Sequence, residues 1–176
     1  MHSRLKHTEI RQRIKKITLI GLFSAFCITF RIIHLPIPNV QPDTDILMLL
    51  TLNLGMAISM PVAVITMILS NVILGFGIWT VPQIMAYIAV ILTVAFCKKF
   101  LNLKNSFRMQ LGLAVFLGFE YGLIVSWGMF AVGSVHGFWI YYLNGVLFDA
   151  YHALGNLGFY PLLYRPVNAA LNTIKD

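Results

Sequence analysis

Charged side chains are scarce in this chain and are absent from its long central part. No Asp, Glu, Lys or Arg occurs between Asp45 and Lys98, and over all 176 residues only 11% of the side chains are charged while 59% are apolar. A water-soluble protein of this length needs many more charged side chains to cover its surface. The composition therefore predicts an integral membrane protein that folds as one domain, residues 1–176.

Apolar runs of nearly membrane length predict an all-α, compact bundle of six transmembrane helices. Prolines mark several joints, and Pro61 is expected at the start of the third helix, although one long helix kinked at Pro61 is also compatible with the second and third runs. The basic segment 1–13 leads into a run without a small-residue cleavage site, so this run is interpreted as the first span and not as a signal peptide. The predicted spans are about 14–34, 44–60, 62–76, 82–100, 108–133 and 141–165.

The positions of the basic residues predict the orientation of this bundle. Of 13 Lys and Arg residues, six lie in segment 4–16, four in segment 98–108 and two at Arg165 and Lys175, all on one side of a six-span chain. Because Lys and Arg accumulate in short cytoplasmic loops, both termini are expected to be cytoplasmic. The net charge of +7 then reflects topology and contact with anionic lipids, and nucleic-acid binding is a poor interpretation.

Sequence motifs for catalysis or nucleotide binding are absent. The chain has no glycine-rich phosphate loop and no GxGxxG, HExxH or GxSxG motif. Cys27 and Cys97 lie in apolar runs without metal-ligand spacing, so we expect two buried free thiols, no metal site and no cofactor of the protein's own. If the protein moves a solute by using ATP, another subunit must supply the nucleotide site.

The first helix carries two small residues, Gly21 and Ala25, four positions apart. Small residues at this spacing let two helix backbones approach closely in lipid. The sequence leaves two interpretations open, which are packing within the bundle and a docking face for a partner membrane protein.

The last helix carries Asp149, His152 and Asn156 on one helical face. Ionisable groups at membrane depth are costly and usually face a cavity or a partner. One hypothesis is that Asp149 and His152 pair and lock this helix against the fifth through Glu120 or Tyr121. Another is an intramembrane enzyme that uses the two residues as an acid and a base, which is weakened by the absence of a nucleophile motif.

Over essentially its whole length, the chain resembles the substrate-binding S components of energy-coupling factor (ECF) vitamin transporters. The resemblance rests on the six-span plan with a basic N-terminus and on "LIGLFSAF", "RIIHLPIPNVQP" and "GVLFDAYHALGN" followed by "PLLYRP". It implies a bacterial cell-membrane protein without enzymatic activity, which works with a transmembrane T subunit and two cytoplasmic ATPases. It also implies that Gly21 and Ala25 dock onto the T subunit, although Gly21 stands where the family usually has Ala.

The resemblance further implies that the loop after the first helix covers a vitamin-binding cavity that opens to the outside. Asp43 or Thr44 can also cap the second helix, so capping is the alternative to ligand binding for one of the two aspartates, and Asp45 would then lie in the first turn of that helix. The lining is expected to be rich in amides and aromatic rings and poor in Lys and Arg, which suits cobalamin best, with riboflavin or another vitamin as the alternative. The remaining hypothesis is a facilitator without partner subunits or a small assembly protein without a transported ligand. The residues expected at the ligand are His34, Asn39, Gln41, Asp45, Trp79, Tyr141 and Asn144.

Overall fold

A computed structural model describes residues 2–33, 38–101 and 103–175 of the protein, with side chains from residue 9 to residue 173 of these ranges. These residues form six α-helices and one short 3-10 turn at Leu103–Asn105, and no strand. The predicted all-α bundle of six helices is therefore confirmed. The helices are α1 His2–Ile32, α2 Asp43–Leu54, α3 Met56–Leu74, α4 Thr80–Phe100, α5 Phe107–Ala131 and α6 Phe138–Lys175.

The joint between the second and third helices lies at Gly55 and not at the predicted Pro61. Gly55 has φ 85° and ψ 176°, a backbone conformation that only glycine adopts readily. Its N–H donates to the carbonyl groups of Leu50 and Thr51, which ends α2. Pro61 lies inside α3, in its second turn. The predicted start of the third helix at Pro61 and the alternative of one kinked helix are both wrong.

Three helices, α3, α4 and α5, are long and apolar enough to cross a membrane. The second helix differs from its predicted span of 44–60, because it has only 12 residues and is therefore about 18 Å long. A hydrocarbon layer is about 30 Å thick. Every residue from Asp43 to Leu52 is buried by the rest of the protein.

This burial places α2 inside the bundle, where it packs against α3, α4 and α6. A helix that is apolar on all sides is stable only when other helices or lipid surround it. The two cysteines are free as predicted; Cys27 is buried in α1, while Cys97 is only partly buried.

Two glycines bring α5 and α6 into close contact. A Cβ atom added at Gly118 would lie 2.7 Å from the backbone nitrogen of Ala153 in α6. A Cβ at Gly122 would overlap the carboxylate of Asp149. Small residues at helix contacts are the usual way in which membrane helices approach each other.

Replacing Gly118 with alanine is expected to destabilise the protein by about 1–3 kcal/mol, because the added methyl group must push the α6 backbone away. Thermal unfolding of the purified chain in detergent measures this effect. Gly112→Ala is the matched control on the same helix, since a Cβ at Gly112 meets nothing within 4 Å. Equal stability of the two variants would show that α5 and α6 do not approach at Gly118.

Candidate functional site

A cavity of about 330 Å³ opens where the segment after α1, the start of α4, the end of α5 and the start of α6 meet. We call this end of the bundle the cavity end. The opposite end carries the basic segment between α4 and α5. The cavity lining combines amides, hydroxyls and one carboxylate with apolar atoms. It consists of Asn39, Gln83, Tyr121, Gly122, Val125, Ser126, Tyr141, Asn144, Gly145, Phe148 and Asp149.

Three residues expected at the ligand from the sequence, Asn39, Tyr141 and Asn144, line this cavity together. Asn39 lies more than 100 positions from Asn144 in the chain. Its φ of 62° is in the left-handed region, which Asn tolerates better than most residues because its short side chain bonds to the local backbone.

The other predicted ligand residues lie elsewhere. Gln41 accepts a hydrogen bond from Nη1 of Arg31 at 3.2 Å. Asp45 is 0% exposed and lies outside the cavity lining, and neither of its carboxylate oxygens has a hydrogen-bond partner among the described residues. Trp79 is 43% exposed and also lies outside the lining. His34 lies outside the residues that the structure describes.

No side chain caps α2, so the capping hypothesis for Asp43 and Thr44 is wrong. The N-cap residue is Pro42, and Asp43 is the first residue inside the helix. Thr44 Oγ1 instead lies 2.8 Å from Nε2 of His152. Both residues are buried, because α2 begins inside the bundle and not at its surface.

A buried arginine on α1, which sequence reasoning did not assign to the site, holds the cavity end together. Arg31 is 7% exposed. Its guanidinium donates to Ser70 at 2.9 Å, to Gln41 at 3.2 Å and to Asn71 at 3.5 Å. Asp43 Oδ2 lies 3.8 Å from Nη1. One sign of this role is visible in the sequence, since Arg31 alone among the Lys and Arg residues lies outside the basic segments that are predicted to be cytoplasmic.

The hydrogen bonds of Arg31 continue to the cavity. Asn71 donates from Nδ2 to Thr80 at 3.1 Å and to Gln83 at 2.8 Å. Gln83 belongs to the cavity lining. A chain of buried hydrogen bonds thus runs from α1 through α3 to the cavity wall on α4.

Two residues on the polar face of α6, His152 and Asn156, bond to neighbouring helices. His152 bonds to Thr44 on α2, and its ring contacts the Tyr121 ring edge-on with centroids 5.1 Å apart. Asn156 donates to the carbonyl group of Ala114 on α5 at 2.8 Å. These two residues therefore tie α6 to its neighbours.

Asp149 does not pair with His152, so the predicted pair is wrong. Asp149 lies in the cavity wall instead. Glu120 Oε1 accepts a hydrogen bond from Thr93 on α4 at 2.6 Å and thus links α5 to α4. The intramembrane acid–base pair that an enzyme would need is not formed in this structure.

The small residues of α1 lie on its exposed side. Gly21 and Ala25 are both exposed, and a Cβ at Gly21 would meet nothing within 4 Å. The buried side of α1 contains Ser24, Cys27 and Arg31. Packing of Gly21 and Ala25 within the bundle, the first of the two interpretations from sequence, is therefore wrong.

The fold and the cavity define a small, all-helical membrane protein built around a polar pocket at one end. A family model described as the substrate-specific component of an ECF transporter matches residues 15–164, so the chain belongs to this family. Neither a curated protein nor a solved structure matches the chain. Proteins of this family are substrate-binding transport subunits and not enzymes, and they work with a T subunit and ATPases.

Proposed function

We propose that this chain is the S component of a vitamin importer in the cell membrane and that it captures its ligand in the cavity at the cavity end. The main support for the proposal is that Asn39, Tyr141 and Asn144 line one cavity. The sequence alone had already led us to expect these three residues at the ligand. The distribution of Lys and Arg favours an outward-facing cavity end. A ligand would then enter from outside the cell.

The partners in this proposal are a transmembrane T subunit and two cytoplasmic ATPases. The chain has no nucleotide-binding motif, so the energy for uptake comes from the ATPases. The exposed face of Gly21 and Ala25 supports docking, because it leaves space for a partner helix to approach the α1 backbone.

Cobalamin is the first candidate ligand. The described lining of the cavity contains amide side chains and no Lys or Arg, which suits a ligand that presents many neutral amide groups. A cavity of about 330 Å³ encloses only part of a corrinoid, so the rest of the ligand would lie at the opening. Riboflavin or another smaller vitamin is the second candidate, because this volume falls at the low end of the range for drug-sized ligands.

Binding measurements on the chain purified alone in detergent test the proposed function. Cobalamin and riboflavin are titrated separately, and saturable binding of either one supports an S component. Binding of cobalamin alone identifies the corrinoid as ligand, and binding of riboflavin alone overturns that choice. If no vitamin binds and the chain does not copurify with coexpressed ATPase subunits, the proposal fails.

Asn39→Ala and Asn144→Ala are each expected to weaken ligand binding. Loss of an amide leaves a buried polar group of the ligand without its partner, which costs about 1–3 kcal/mol. This corresponds to roughly five- to 150-fold in Kd. Isothermal titration or ligand-induced fluorescence change measures the effect, and Lys104→Ala at the opposite end is the control. Unchanged affinity in both variants would exclude this cavity as the binding site.

A further inference from the structure

Asp149 is a buried carboxylate that the packing of the bundle does not use. Asp149 is 5% exposed, and its Oδ2 has no hydrogen-bond partner among the residues that the structure describes. It takes part in no ion pair with the described Lys and Arg residues. A buried carboxylate oxygen without a partner is costly, so the position of Oδ2 in the cavity wall favours a group that is not part of this chain.

The neighbouring helix leaves room for this carboxylate. Gly122 of α5 faces Asp149, and any side chain at this position would overlap the carboxylate. Both residues line the cavity. The space that Gly122 leaves therefore holds the Asp149 side chain at the cavity wall, while His152 and Asn156 on the same helix face bond to protein groups.

The other polar groups around the cavity determine which ligand chemistry Asp149 favours. Asn39, Gln83, Ser126 and Asn144 are neutral, and the described lining contains no cation. An ionised carboxylate accepts hydrogen bonds and cannot donate one. A carboxylate or phosphate of a ligand would meet repulsion at this wall without a compensating positive charge.

We propose that Asp149 is a ligand-binding residue that accepts a hydrogen bond from an N–H group of the ligand. The end of the ligand that enters the cavity then carries an amide or an amine and no anionic group. This inference rests on the proposed function and names the chemistry of the ligand at that same cavity. A neutral side-chain amide of a corrinoid and the amino group of a smaller vitamin that carries a positive charge elsewhere both supply such an N–H group.

Asp149→Asn tests the inference, because it keeps the shape of the side chain beside Gly122 but removes the charge. Cobalamin, riboflavin and thiamine are each titrated into the wild-type chain and the variant in detergent. The vitamin that binds the wild type is expected to bind the variant at least about tenfold more weakly. A cationic ligand is expected to lose more affinity than a neutral one, which separates the two sources of the N–H group.

If cobalamin binds, its monocarboxylate derivatives, in which one side-chain amide is hydrolysed to an acid, provide a second measurement. At least one derivative is expected to bind the wild type about tenfold more weakly than cobalamin does. The difference is expected to shrink in Asp149→Asn, because the variant no longer repels the acid. If every derivative binds the wild type as tightly as cobalamin, the inference is wrong.

The unfolding temperature measured without ligand shows whether Asp149 binds the ligand or stabilises the bundle. Because Oδ2 of Asp149 has no hydrogen-bond partner in the described part of the chain, Asp149→Asn is expected to unfold at the same or a higher temperature than the wild type. A lower unfolding temperature would identify a residue that locks the bundle and would overturn the inference. Glu120→Gln is the control, since Glu120 lies outside the cavity lining and its loss should not change ligand affinity.

The two proposals fail in different ways. If none of the three vitamins binds the wild type and the chain does not copurify with coexpressed ATPase subunits, the proposed function falls and the inference falls with it. If the wild type binds a vitamin and Asp149→Asn binds it equally well, only the inference is overturned. The binding assay on the wild type thus decides the first question before the variant decides the second.

Discussion

Replacing Ala25 with tryptophan is expected to abolish ATP-driven vitamin uptake while vitamin binding by the isolated chain stays intact. Ala25 is exposed on α1, and it lies four residues from Gly21, where an added Cβ would meet nothing. A large ring at this place would keep a partner helix from approaching the α1 backbone. Uptake into cells or proteoliposomes that contain the whole transporter, together with a binding titration on the chain alone, measures the two activities.

Gly112→Trp is the matched control for this experiment. Gly112 is also exposed and also has free space around it, but it lies on α5. Uptake should be retained when the bulky residue stands there. Equal loss of binding and uptake in Ala25→Trp would show that the substitution damages the bundle, and full uptake would exclude this face as the docking surface.

Arg31→Met is expected to destabilise the protein by about 3–5 kcal/mol, because it leaves the nearby buried carboxylate without its cation. Arg31 is the cation 3.8 Å from Asp43 and the donor to Ser70, Gln41 and Asn71. Thermal unfolding of the purified chain reports the loss. Arg165→Met, at an exposed position, is the control and should change stability little.

A double variant distinguishes the charge of Arg31 from its hydrogen bonds. Arg31→Met combined with Asp43→Asn removes both charges, so part of the lost stability should return. Arg31→Lys keeps the charge but not the planar set of donors, and it should restore less than the native arginine provides. If Arg31→Met unfolds like the wild type, this network does not stabilise the cavity end.

Several features of the fold could be predicted from the sequence because they depend on local pattern. The apolar runs located α4 and α5 to within a few residues, since a membrane helix is defined by continuous hydrophobicity. The joint at Gly55 was missed because Pro61 is the stronger breaker in a helix interior. In the structure, α3 continues through Pro61 in its second turn, and the backbone conformation of Gly55 decides the boundary.

Part of the cavity could be predicted from the order of the helices along the chain. The order of the helices brings the segment after α1 and the start of α6 to one end, which placed Asn39 and Asn144 together. The roles of Asp149 and His152 could not be separated, because helical periodicity only puts them on one face. The partner of His152 comes from α2, whose Thr44 lies 108 positions away in the chain, and Oδ2 of Asp149 has no such partner among the described residues.

The short α2 also has a consequence for how the protein is made. Two of the first three of its 12 residues are aspartates. The C-terminal end of α2 at Gly55 lies near the basic end of the bundle, where Lys98 donates to the carbonyl group of Thr51. A helix of about 18 Å is too short to cross the hydrocarbon layer by itself. Biogenesis therefore cannot insert α2 as an independent segment: it must enter the bilayer together with α3 and reach its place as the surrounding helices assemble.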